Sequence, residues 1–381
     1  MKALIYADNA ATTKLDPEAF EAMKPFLLEN YGNASQPYSF SRIVKKALKE
    51  ARHRIAQCIN ADDDEIFFTS GGTESDNWAI KGSITYGDTI AVITSQIEHH
   101  AILNACAAVE RFGYPVAYLP VDKTGIVQPD TLKSFISPKT KLVSIMTANN
   151  EIGTIQPIQE LCSIAHQNGA VFHTDAVQAV GHININVKAL GVDMLSASAH
   201  KFNGPKGIGF LYIKKGTSLS PYLDGGAQEH KKRAGTENVP AIVGMSVALE
   251  NNCKRISENK CKLFELEAQL ISQLHDNNTD FIRNGAENHV PGNVSLSFKG
   301  IEGETLLHRL DLMGICVSTG SACDSVNTRL SHVLQAVNVD SSYASGTIRI
   351  SLGKDNTESE VKIISDSISK ILQQNLSNSG Y

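Results

Sequence analysis

The sequence predicts an α/β protein with a mostly parallel central sheet and a smaller α+β domain. Three observations point there. Between residues 65 and 213, short apolar runs alternate with segments of helix length. A long stretch with apolar residues at helical spacing follows Pro240. Beyond it, strand-like segments return and an amphipathic helix closes the chain.

Taken in order, residues 65–70 (EIFFTS) read as a short buried strand that runs into Gly71-Gly72, with a helix starting at Thr73. Residues 89–95 (TIAVITS) form a second strand candidate, and 100–112 a helix. Further apolar strand candidates lie at 116–121, 141–147, 171–174 and 208–213, with a helix-length segment at 157–168. Strands that alternate with helices imply βα units, hence parallel pairing. From Pro240 to about Leu274 no proline interrupts the helical spacing, and a helix of that length can join two domains. Residues 293–298 and 347–352 are strand-like, and 360–373 closes as a helix. The expected division is a 1–15 segment belonging to the small domain, a large α/β domain at 16–255 and a small α+β domain at 256–381.

The chain has 381 residues, 42% hydrophobic and 20% charged, a balance that fills a core and argues against disorder. Lys and Arg number 35 against 40 Asp and Glu, so the net charge of -5 gives no reason to expect nucleic acid or an anionic membrane. No apolar run approaches the roughly 20 residues of a membrane span. The N-terminus carries one lysine before a short apolar stretch, too short for a signal peptide, so the expected location is cytoplasmic. Seven cysteines show no C-x-x-C spacing, which favours neither a disulfide framework nor a zinc knuckle.

In an open α/β sheet ligands sit beyond the carboxyl ends of the strands, and four such loops carry reactive groups. Thr69-Ser70-Gly71-Gly72-Thr73-Glu74-Ser75 runs from a strand through glycines into a helix, a place where free N–H groups bind phosphate; a plain helix cap is the simpler alternative. In His173-Thr174-Asp175-Ala176-Val177-Gln178 an acid ends an apolar strand, costly unless a cation such as a cofactor ring nitrogen pairs with it. Ser198-Ala199-His200-Lys201 precedes a glycine-rich turn, making Lys201 a candidate Schiff-base amine, although an isolated lysine is ordinarily a solvated surface group. Cys323, in the small polar loop Ser318-Thr319-Gly320-Ser321-Ala322-Cys323, lacks the apolar setting of a structural thiol, although an incidental loop thiol is the simpler alternative. Glu98-His99-His100 and His173 offer histidines, but no metal-binding signature accompanies them, and no metal site is expected.

Together and in this order the motifs resemble the cysteine desulfurases of the class V aminotransferase fold, enzymes dependent on pyridoxal 5'-phosphate. The resemblance runs nearly end to end, from Tyr6-Ala7-Asp8-Asn9-Ala10-Ala11-Thr12-Thr13 through Asn149-Asn150-Glu151-Ile152-Gly153 and Arg233-Ala234-Gly235-Thr236-Glu237-Asn238 to Ile348-Arg349-Ile350-Ser351-Leu352-Gly353. It implies a fold type I transferase, that is, one like aspartate aminotransferase, in which Lys201 carries the cofactor and His99 stacks on its ring and moves protons. Asp175 would pair with the ring nitrogen, and Gln178 and Asn150 would flank the ring oxygen and substrate. Gly72, Thr73, Ser198 and His200 would hold the phosphate, Arg349 the substrate carboxylate. Thr236 would reach the phosphate of a neighbouring subunit, implying a homodimer.

The implied reaction takes L-cysteine to L-alanine, leaving a persulfide on Cys323 for an acceptor protein in iron-sulfur cluster assembly or thio-modification. Other readings on the same fold are a selenocysteine lyase or a transaminase. A non-catalytic scaffold would have no use for Lys201, Asp175 and His99. The sequence departs from the family pattern at Gly32-Asn33-Ala34-Ser35-Gln36-Pro37-Tyr38, where a histidine is replaced by Tyr38, and at His230-Lys231, where Arg-Gly is usual.

Overall fold

A computed structural model describes residues 4–84, 91–319 and 330–378. Their strands are β1 (Ile5–Tyr6), β2 (Ile66–Thr69), β3 (Ala91–Ser95), β4 (Val116–Leu119), β5 (Thr140–Ser144), β6 (Val171–Asp175), β7 (Met194–Ser198), β8 (Gly209–Ile213), β9 (Phe281–Asn284), β10 (Asn293–Phe298), β11 (Ile315–Cys316) and β12 (Thr347–Ser351). Seven of them form one sheet in the order β2-β8-β7-β6-β5-β3-β4, in which β8 alone runs opposite to the other six. The mostly parallel sheet expected from the alternation of elements is therefore present. Its central strands are buried on both faces, as a sheet covered by helices on each side requires.

This arrangement brings the carboxyl ends of β2, β3, β5, β6 and β7 to one edge. In β6 the two-residue side-chain period places His173 and Asp175 on one face, while Phe172 turns to the core on the other. In β7 Leu195 and Ala197 join that core, leaving Ser196 and Ser198 on the opposite face. A strand of serines and alanines carries little apolar signal, which is why the sequence pattern does not announce β7.

A second core gathers Ile5 and Ala7 with Leu263, Leu266, Val294, Leu296, Ile348, Ile350, Ile364 and Ile368. Around it lie the antiparallel sheet β12-β10-β9 and the parallel pair β1-β11. Burying Ile348 and Ile350 contributes roughly 1.5–3 kcal/mol each, and a one-residue slip of β12 would turn both away and put Thr347, Arg349 and Ser351 on that face. The register that seats the isoleucines thus turns Arg349 to the other face. The helical stretch after Pro240 is two helices, Val239–Lys254 and Ile256–Asp276, broken at Arg255 with φ -111° and ψ 8°. Neither Gly nor Pro marks that break, so the apolar spacing reads straight through it. The closing helix spans Glu358–Asn378. No helix among the described residues is long and apolar enough to cross a membrane.

Candidate active site

At the shared strand edge a cavity of about 400 Å³ is lined by Gly72 and Thr73 after β2, His99 after β3, Asn150 after β5, Asp175 and Gln178 at β6, Ser198, His200 and Lys201 at β7, and Arg349 of β12. A more open cleft of about 850 Å³ between the N-terminal segment and the helix Ile256–Asp276 contains none of these residues. The smaller cavity is the one that holds the amine, the buried acid and the histidines together.

The turn bearing Lys201 is fixed mainly through its backbone. Thr13 donates from its hydroxyl and its N–H to the His200 carbonyl (2.8 and 2.9 Å), His182 Nε2 lies 2.8 Å from the Lys201 carbonyl, and Asn252 Nδ2 donates to that of Phe202 (2.8 Å). With the main chain held, the Lys201 ammonium reaches the carbonyls of Ala10 and Ala11 at 2.6 and 2.8 Å. Gln178 Nε2 donates to the same Ala10 carbonyl at 3.0 Å. The motif around Asn9-Ala10-Ala11 thus forms one wall of the cavity.

His99 caps the helix His100–Arg111, its Nδ1 accepting the Ala101 N–H at 3.1 Å. Burial pushes its pKa down to about 4, helped by the positive charge of Lys201 and by His100. At neutral pH the ring is uncharged, and because Nδ1 accepts, the proton sits on Nε2. Burial likewise lowers His200 to about 4. Asp175 is 5% exposed, and among the described residues its carboxylate accepts one hydrogen bond, from the Val177 N–H at 2.9 Å. Burial raises it to about 6.

The aminotransferase class-V family model matches residues 5–364. The chain belongs to that family. Among its class V relatives, "Cysteine desulfurase IscS" of Dictyoglomus turgidum is 50% identical over 377 residues, covering 98% of this chain and 96% of that protein. A solved structure described as "NIFS-LIKE PROTEIN" superposes with a TM-score of 0.92 at 39% identity, covering 97% of this chain and all of that one. Another, "SspA in complex with cysteine", gives 0.81 at 33% identity over 94% of this chain and all of its own.

The cofactor of this class V member is pyridoxal 5'-phosphate, and the cavity fits such a group. Asp175, without a cationic hydrogen-bond partner among the described residues, suits a protonated ring nitrogen. Where a phosphate would sit, Gly71 has φ 152° and ψ -176°, a region open to glycine alone, and among the described residues no side chain caps the helix Gly72–Gly82 that follows. A Cβ on Gly72 would stand 2.7 Å from Val177 Cγ2 and close this concavity.

Ten of the site residues expected from the sequence converge on the cavity. Thr236 does not; it is exposed, in a segment that Arg233 holds by a bidentate pair with Glu74 at 2.8 and 3.0 Å. Cys323 lies outside the described residues. Two acids went unsingled by the motifs. Asp76, one turn beyond Thr73, is 1% exposed, lines the cavity and leaves Oδ1 without a hydrogen-bond partner among the described residues. Asp8 pairs with Arg349 at 2.8 Å. An acid flanked by the apolar face of Trp78, Ala79 and Ile80 was the available signal for Asp76; nothing local signals the Asp8 pairing.

Proposed function

We propose that this class V family member is a cysteine desulfurase that converts L-cysteine to L-alanine and moves the sulfur atom to Cys323, whose thiol becomes a persulfide for an acceptor protein. The observation that carries this reading is the meeting of a lysine amine, a buried acid and a carboxylate-binding arginine in one cavity. The substrate assignment is supported by the relatives named cysteine desulfurase and by the neighbour solved with cysteine.

Lys201 supplies the amine that carries the cofactor. Bound there, the cofactor provides an electron sink for cleavage at the amino acid's Cα. Asp175 holds the ring nitrogen protonated, Gly72, Thr73, Ser198 and His200 receive the phosphate, and Gln178 and Asn150 bound the remaining edge. His99 presents a proton on Nε2 toward the cavity, and the planar fork of Arg349 takes the substrate carboxylate. Cys323 supplies the thiol that accepts sulfur, in balance with loss of one sulfur atom from cysteine. Thr236 completes the phosphate site of a second copy, which makes the working unit a homodimer. The protein acts in the cytoplasm on L-cysteine and a sulfur-acceptor protein, without contact to nucleic acid or membrane. The 1–15 segment and residues 256–381 form the small domain; the second core around Leu263 and Ile350 supports that division.

The test is Cys323→Ser. This variant should bind the cofactor and respond spectrally to L-cysteine as the parent does, while alanine and sulfide production fall to background. Substituting Cys58, Cys106, Cys162, Cys253, Cys261 or Cys316 should leave turnover largely intact. Alanine formation by Cys323→Ser at the parental rate would transfer the assignment to a selenocysteine lyase or transaminase.

A further inference from the structure

Arg349 is 5% exposed, and two of its donors are already engaged: Nη2 gives a hydrogen bond to Asp8 Oδ1 and Nη1 to the Asn150 carbonyl, both at 2.8 Å. Its Nε is buried without a hydrogen-bond partner among the described residues. Asp8 is committed on its other side as well, since Oδ2 accepts the Ser318 hydroxyl at 3.1 Å. Ser318 in turn exchanges backbone hydrogen bonds with Arg349, at 3.1 and 2.6 Å. The neighbours of Asp8 are tied down too: Asn9 donates from its N–H to the Ser351 carbonyl (3.0 Å), and Ala10 from its N–H to the Ser351 hydroxyl (2.9 Å). Asp8 is thus held beside the guanidinium through both of its carboxylate oxygens, so an arriving amino acid would bring a second carboxylate to the same fork.

We propose that Asp8 is the positioning residue that sets how tightly Arg349 holds the carboxylate of substrate and product. The proposal rests on the reading of Arg349 as the carboxylate-binding group. Cysteine and alanine carry the same carboxylate, so affinity for it is uniform along the reaction and cannot favour the chemical step; in excess it only retains alanine. Asp8 does two opposed things. Its hydrogen bond orients the fork, and its negative charge weakens the pull of the fork on a second anion.

These two actions separate in two variants. Asp8→Asn keeps an oxygen acceptor for Nη2 and removes the charge, while Asp8→Ala removes both. Titrating the holoenzyme with L-alanine and following cofactor absorbance, we expect the dissociation constant to fall about 3- to 10-fold in Asp8→Asn, the scale of one nearby charge, and to rise at least about 10-fold in Asp8→Ala, as expected when a buried donor loses its partner. L-Alaninamide, which lacks the carboxylate charge, should bind Asp8→Asn and the parent equally. Alanine binding that is unchanged or weakened in Asp8→Asn overturns the proposal, and this isosteric variant stays informative should Asp8→Ala fail to fold. Arg349→Ala separates the two readings: if it leaves the alanine constant unchanged, the role of Arg349 is wrong; if it raises the constant while Asp8→Asn does nothing, the inference about Asp8 alone fails.

Discussion

The two ends of the cavity solve the same problem, holding a buried charge, by different means. At the cofactor end, groups from β2, β6 and β7 stand at the edge of one seven-stranded sheet, and Thr13, His182 and Asn252 lock the main chain around Lys201. At the other end, proposed to take the substrate carboxylate, one residue, Arg349, arrives from a separate three-stranded sheet and is held chiefly by Asp8 and a single carbonyl. The cofactor end is redundant and the carboxylate end is not. Damage at the first should therefore change chemistry while leaving the frame intact, whereas damage at the second should move binding constants.

The largest effect that would break this comparison is at Lys201. Lys201→Ala should abolish the near-visible absorbance of bound cofactor and all turnover, yet leave circular dichroism unchanged, because the turn is held by its carbonyls. Parental turnover would remove Lys201 from its role, and a collapsed spectrum would show that the main-chain lock is insufficient.

Asp175 comes next. Burial raises its pKa to about 6. A folded-state value above the unfolded one means that the cofactor-free fold binds this proton more tightly than the unfolded chain, so stability is lost as pH climbs from about 4 to about 6. Asp175→Asn removes that cost and keeps an acceptor for the Val177 N–H. Without cofactor the variant should melt roughly 2–4 °C above the parent at about pH 7.5 and level with it at about pH 3.5, while its cofactor affinity and turnover drop by orders of magnitude. A lower melting point at neutral pH would show that the acid stabilises the empty cavity rather than awaiting a cation.

Thr236 should give the smallest change. Thr236→Ala should speed cofactor loss several-fold with little effect on the melting of the empty protein, since on the proposed reading the exposed threonine would act only across a dimer. An active monomer by light scattering at assay concentration would contradict this.

How far these features could be read in advance depends on whether the signal is local. Asp175 is visible because an acid ends an apolar strand, and Lys201 because it stands between Ser198-Ala199-His200 and a glycine-rich turn. Six of the seven strands of the large sheet are visible because they are apolar runs. By contrast, β1 and β11 are two residues each, too short for any period to register, and β7 is disguised by its serines. The break at Arg255 has no breaker residue to mark it. Asp8 acquires its significance from a distant partner, Arg349, and the resemblance to desulfurases supplied residue roles without supplying this contact.

The N-terminal segment has a further consequence, for the order of folding. Ile5 pairs beside Ile315, and Asp8 meets Arg349 across a separation of 341 residues. Closing so large a loop costs little extra stability, about 0.6 kcal/mol per doubling of length, but contacts of this separation delay folding far more than they weaken the fold. On the ribosome, every strand of the seven-stranded sheet has been made once β8 emerges, whereas Arg349 follows more than a hundred residues later. The Asp8–Arg349 pair, the proposed grip on the amino acid's acid group, is accordingly the last part of the cavity to assemble, made when residue 349 reaches residue 8.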